Sequence, residues 1–182
     1  QGRAVTGLDD RLTPGAISRL SRSGAVAFRA TFADSPPPAG RRYWRGPVLA
    51  AYDGREWAPG PKRGAAPGPV QEQGDPVAYR VLLEPHYRKW LFALDLPAQA
   101  PARGSLSTGR VVRADNRVHQ VRRYRMRSYT DYRYGQGLSA ERRARYLQLP
   151  RGAHPDARAL ARKWRQAAPD AEAVVERGLR YF

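Results

Sequence analysis

Three histidines, no cysteine and a large excess of arginine bound the chemistry this sequence can carry. His86, His119 and His154 are scattered without ligand-like spacing. Ordinary surface or turn histidines are therefore expected, in preference to metal ligands or general bases. The absence of cysteine removes thiolate nucleophiles, cysteine zinc sites and disulfides together. Serine, histidine and aspartate all occur, but no serine sits in the G-x-S-x-G turn that exposes a hydrolase nucleophile. No catalytic, cofactor-binding or metal-binding residue is assigned.

Charge is the strongest signal. Thirty-three basic residues against sixteen acidic ones give +17 and a pI of about 11.2. Such a field attracts nucleic acid, anionic lipid headgroups or acidic polysaccharide. All but Lys62, Lys89 and Lys163 of the basic residues are arginine. Beside abundant alanine and glycine, that choice also fits a GC-rich genome, so composition leaves the partner open. Arg123, Arg125 and Arg127 alternate with Tyr124 and Met126. One reading is a solvated or anion-facing sheet surface. The alternative is a basic nucleic-acid-binding module with phosphate contacts and stacking. Trp44, Tyr79 and Trp90 are better used as core, and no RNP, KH or helix-turn-helix pattern supports that alternative.

The aromatic stretch "YWRGPVLAAYDGREW", residues 43–57, poses a similar choice. At period two, Trp44, Val48 and Tyr52 share a face opposite Tyr43, Arg45 and Leu49. Asp53-Gly54 supplies a turn, and Arg55-Glu56-Trp57 begins the return. A hairpin whose aromatics serve the core is expected over a sugar- or peptide-stacking site on Trp44 or Trp57.

Other elements must position these residues. Thr13 and Pro14 open a short helix over 12–23, with Ile17 and Leu20 on one face. "AVAFRATF" (25–32) reads as a half-buried strand with Val26, Phe28, Ala30 and Phe32 on one side. The proline run of 33–40 ends it. Residues 58–76 lack periodicity and read as a long loop, mobile or disordered in part. "VAYRVLLEP" (77–85) alternates as a strand, and "KWLFALDLP" (89–97) is apolar enough for one strand buried on both sides. "GRVVRADNRVHQVRRYRMRSY" (109–129) places an ADN turn between two strand-like arms.

Period two ends near Gly135. Ser139 caps a short helix within 139–150. Pro155 and Asp156 start a clearer one with Leu160 and Trp164 at i,i+4. Pro169 starts a third, with Val174, Val175, Leu179 and Phe182 along one stripe. The fold class expected is α+β: a mainly antiparallel β-sandwich or barrel-like domain over 1–135, then a helical segment over 136–182. With 182 residues, 41% of them hydrophobic, a real core is available. No stretch approaches the ~20 apolar residues of a membrane helix, and the N-terminus lacks the apolar run of a signal peptide. A start at Gln1 instead of Met suggests an excised fragment. The uncapped aromatic end, Tyr181-Phe182, suggests more protein beyond it.

Four stretches together resemble one bacterial family. They are "TGLDDRLTPGAISRLSRSGAVAFRATF", "RYWRGPVLAAYDGREW", "YRVLLEPHYRKWLFALDLP" and "RYLQLPRGAHPDARALARKW", in that order and spanning roughly Thr6 to Phe182. The family is the membrane-anchored transglutaminase-like proteins of the protein-glutamine gamma-glutamyltransferase type. The resemblance implies a periplasmic accessory segment between upstream membrane helices and a downstream papain-like core with a Cys-His-Asp triad. It places the chain on the periplasmic side of the bacterial inner membrane, as a soluble fragment of a membrane protein. Residues from about 139 onward would lead into that core. No position here matches the triad, so the fragment itself is expected to be inactive. Expected partners are the membrane helices and core of the same protein, with an anionic membrane surface or cell-wall components beside them. Specific nucleic acid is not expected.

Overall fold

In β6 (Val77–Leu83), Tyr79, Val81 and Leu83 are buried, and in β12 (Arg122–Tyr129), Tyr124, Met126 and Ser128. Their alternation with exposed Arg80, Arg123, Arg125 and Arg127 sets the register: a one-residue slip would turn the arginines inward. The computed structural model describes residues 11–13, 24–60, 70–107 and 109–182. Among them, β1 (Phe28–Phe32) pairs with β6, β6 with β12, and β12 with β9 (Leu96–Pro97), all antiparallel. This four-stranded sheet has the order β1-β6-β12-β9.

The remaining strands form smaller antiparallel sets. β10 (Gly104–Leu106), β11 (Val112–Ala114) and β7 (Trp90–Leu91) make a three-stranded sheet. Three pairs complete it: β2 (Trp44–Arg45) with β8 (Ala93–Leu94), β3 (Ala51–Tyr52) with β4 (Trp57–Ala58), and β5 (Val70–Glu72) with β13 (Tyr132–Tyr134). Helices α1 (Ala140–Tyr146), α2 (Pro155–Ala167) and α3 (Ala171–Tyr181) follow. The fold is α+β, with the strands divided among several sheets and, among the described residues, no closed barrel.

The local elements depart from the sequence reading in three places. The 89–97 run is buried, yet it is three two-residue strands, each paired in a different sheet. Asp95, with φ +39°, lies between the second and third. The ADN turn lies between two strands as read, and these do not pair with each other: β11 pairs with β10 and β7 while β12 pairs with β6 and β9. Residues 70–72, expected as loop, form β5 against Tyr132–Tyr134. Pro169 precedes the third helix, and Asp170 is its cap, accepting from Ala173 N–H. Ser139 caps α1 as read. Of the helix expected over 12–23, residues 14–23 lie outside the described ones, as does 61–69 of the long loop.

The aromatic stretch divides between two duties. Trp44 pairs across to Leu94 and packs edge-on against Phe28 and Tyr79, with centroids at 4.9 and 5.6 Å, so it is core. Asp53 turns the hairpin: its carboxylate accepts from Arg55 N–H and Glu56 N–H, which lowers its pKa.

A broken strand in a core leaves backbone groups that need partners. Tyr79 Oη accepts from Leu94 N–H at 2.6 Å and bonds Ser128 Oγ at 2.8 Å. Tyr124 O–H donates to Phe92 C=O at 2.8 Å. Burial pushes the Tyr79 hydroxyl up to about 12 and raises Tyr124 further, so both remain protonated donors at neutral pH. Tyr79→Phe keeps the ring and strands Leu94 N–H, so chemical denaturation should show a loss of about 1–3 kcal/mol. A loss within error would mean that water replaces the hydroxyl.

Candidate functional site

The three histidines lie in different surroundings. His86 is 1% exposed, so of the expected surface or turn histidine the turn holds, since it lies in the connection between β6 and β7, and the surface does not. Trp90 C=O, 3.0 Å from its Nε2, can only accept, and Arg88 N–H, 3.2 Å from Nδ1, can only donate. The neutral ring with hydrogen on Nε2 is thereby selected, and burial lowers its pKa. This is a structural histidine. His119 is exposed and meets Tyr87 edge-on at 5.4 Å. His154 is exposed too, but it joins the aromatic hairpin.

That junction forms a seam between strands and helices. Tyr52 stacks on Trp57 with centroids 4.7 Å apart, and its other neighbour is the His154 ring at 5.7 Å. Tyr52 Oη lies 2.5 Å from His154 Nε2. Gly54, at φ +105°, brings the hairpin tip against Pro150 and Ala153; a Cβ there would lie 3.8 and 3.7 Å from them. On the helical side, Arg158 holds the 149–153 turn in shape. Its Nε donates to Ala153 C=O and its Nη2 to Pro150 C=O, both at 2.9 Å. His154 itself has φ +53° immediately before Pro155 opens α2. The hairpin that the sequence offered as core or ligand platform thus does a third thing at its tip: it docks the helical segment.

A second candidate is the outward face of the four-stranded sheet. Cross-strand register makes two rows, Arg29–Leu82–Arg123 and Thr31–Arg80–Arg125, with Arg127 opposite Ala78 beyond them. Two hollows of about 630 and 460 Å³ lie on this face, and Thr31, Arg80 and Arg125 line both. Arg29 is paired with Glu84 at 3.2 Å. The sequence located Arg123, Arg125 and Arg127 but missed Arg29 and Arg80 as their neighbours. Both alternate with apolar residues in their own strands; only long-range pairing shows that they share the face. Tyr124, read as a candidate stacking residue, points into the core at 7% exposure. That removes the stacking half of the nucleic-acid alternative.

Two measurements probe these assignments. His86 binds its proton less readily when folded, so its contribution to stability is complete above its ordinary pKa of 6.5. It should be lost progressively as pH falls below that value toward the lower folded pKa. Denaturation between about pH 7.5 and about pH 5 should show this loss, and His86→Gln should reduce the slope. An unchanged slope would remove His86 from the account. Tyr52→Ala should speed proteolysis at 147–154 while the β-sheet melts within about 1 kcal/mol of the parent. Unaltered cleavage would mean that the seam does not hold the turn.

Comparison with known proteins places these features. The TgpA N-terminal domain family matches residues 1–135. A protein-glutamine gamma-glutamyltransferase of Pseudomonas aeruginosa is 34% identical over 181 residues, covering 99% of this chain. The chain spans 27% of that relative's length. Crystal structures of the periplasmic domain of TgpA from Pseudomonas aeruginosa, one bound to ethylmercury and one not, superpose with a TM-score of 0.85. Each is 34% identical, and the match covers 96% of this chain and 62% or 61% of theirs. With its core, seam and strand register set out above, the chain belongs to the TgpA N-terminal domain family.

Proposed function

We propose that this chain is the non-catalytic periplasmic accessory part of a membrane-anchored transglutaminase-like enzyme, and that it positions the catalytic core through the helical segment. On this reading residues 1–135 form the β-rich accessory domain, and residues 136–182 lead into the core. The observation that carries it is the seam: Tyr52 and Gly54 on the hairpin grip the Pro150–His154 turn from which α2 starts. A hinge left free there would let whatever follows swing. Stacking, a hydrogen bond and the Arg158 clamp fix its direction.

The chemistry of the division of labour is consistent with this. Thiol attack on a glutamine amide needs a cysteine, and this sequence has none. Ser128, the buried serine of the core, is spent on Tyr79. The reacting groups would belong to the downstream core, and the accessory part would contribute orientation.

Incubated with a glutamine-donor protein and a labelled amine, this chain alone should give no incorporation; turnover would overturn the non-catalytic assignment. In the parent enzyme, Tyr52→Ala should lower amide transfer by about tenfold or more, because misplacement far from the chemistry is costly. Full activity in that variant would show that the seam does not position the core.

A further inference from the structure

The sheet face bearing Arg80 and Arg125 has an unusual electrostatic composition. These two arginines are directly opposite on neighbouring strands, an arrangement that opposes like charges and weakens the sheet. Arg123 and Arg127 flank Arg125 on β12, at the roughly 6.7 Å spacing of alternate strand residues. Among the described residues, Glu84 is the carboxylate ion-paired on this face, and it is engaged by Arg29 at the periphery. The centre of the face is therefore a self-repelling cluster. An oxyanion bound between the guanidinium groups would relieve it.

The row also has the right groups for a phosphate. Two guanidinium groups offer planar pairs of N–H donors, and Thr31 adds a hydroxyl on the same row. The two hollows meet at these three residues, so access is open from both sides.

We infer that Thr31, Arg80 and Arg125 form a phosphate-binding row, and that the surrounding arginine face docks the domain on the phosphate headgroups of an anionic phospholipid surface. The array extends over three strands in two dimensions, matching a plane of headgroups better than a single polymer strand. Aromatic residues that could stack on bases are turned away: Tyr79 and Tyr124 are 2% and 7% exposed. Leu82 is the large apolar side chain outward on β6 and is only half-exposed, so the contact is adsorption onto headgroups and not insertion. This inference is independent of the positioning role, since it concerns a different face from the seam.

Binding of the chain to phosphatidylcholine vesicles with and without phosphatidylglycerol tests it at near-physiological salt. The chain should bind only the anionic vesicles. The double variant Arg80→Gln/Arg125→Gln should bind about 30-fold less, at roughly fivefold per arginine near an anionic surface. Removing the same charge from α2 with Arg162→Gln/Arg165→Gln should cost less than about threefold on the same scale. Equal losses in the two double variants would overturn the site in favour of a diffuse field. Random-sequence DNA that binds as tightly as the vesicles, with the same residue dependence, would overturn the lipid assignment. Inorganic phosphate should raise the melting temperature of the parent and not of Arg80→Gln/Arg125→Gln. Stabilisation by phosphate without vesicle binding would reduce the row to a soluble-anion site and overturn the docking surface. A lower melting temperature in that variant at low salt would mean that the arginines support the sheet, and would overturn the self-repelling cluster.

Discussion

Two phenol hydroxyls hold this fold to its irregular centre. Leu91 to Leu96 run through the core as short strands paired in separate sheets, and at the breaks between them Leu94 N–H and Phe92 C=O take side-chain partners in place of a continuous ladder. Tyr79 reaches Leu94 N–H and Tyr124 reaches Phe92 C=O from adjacent strands of the main sheet. An orphaned buried amide costs more than a made hydrogen bond returns. The pair therefore decides whether the apolar run can change partner twice inside one core. The sheets on either side depend on that, because β7, β8 and β9 each belong to a different one.

From this centre the molecule presents two working surfaces. The seam is assembled from turn chemistry: Asp53 capping the hairpin tip, Gly54 in a conformation other residues resist, and Arg158 satisfying the carbonyls of the opposing turn. The arginine face is assembled from register alone. Its side chains take their places because Tyr79, Val81, Tyr124 and Met126 take theirs on the other side. One surface is held by contacts between a hairpin and a turn, the other by strand register.

Alternation was legible wherever one face is buried and the other wet, as in residues 28–32, 77–83 and 122–129. The helical segment was legible for a different reason, since Ser139 and Pro155 lie at helix starts and Pro169 stands immediately before the Asp170 cap. The 89–97 run could not be read, because continuous apolarity records burial and carries no period. Nor could the partner of β11, since Asp115-Asn116 has the composition of a hairpin turn whether or not its flanks pair. The site was legible in halves. Arginine alternation in β12 is local, but its junction with Arg29 and Arg80 is long-range. Likewise Asp53-Gly54 announced a turn, and nothing nearby announced His154, which lies 102 residues from Tyr52.

The strand order β1-β6-β12 has a consequence for how the chain comes into being. A chain emerging N-terminus first releases β1 and β6 early, and they can pair at once. The other edge of β6 must wait for β12, whose Arg122 pairs with Leu83 and whose Ser128 pairs with Val77. Throughout that interval Tyr79, Val81 and Leu83 lack their cover, and an unpaired apolar edge is a template for any other strand nearby. The nascent domain is thus most exposed to misassociation while the 84–121 region is being delivered.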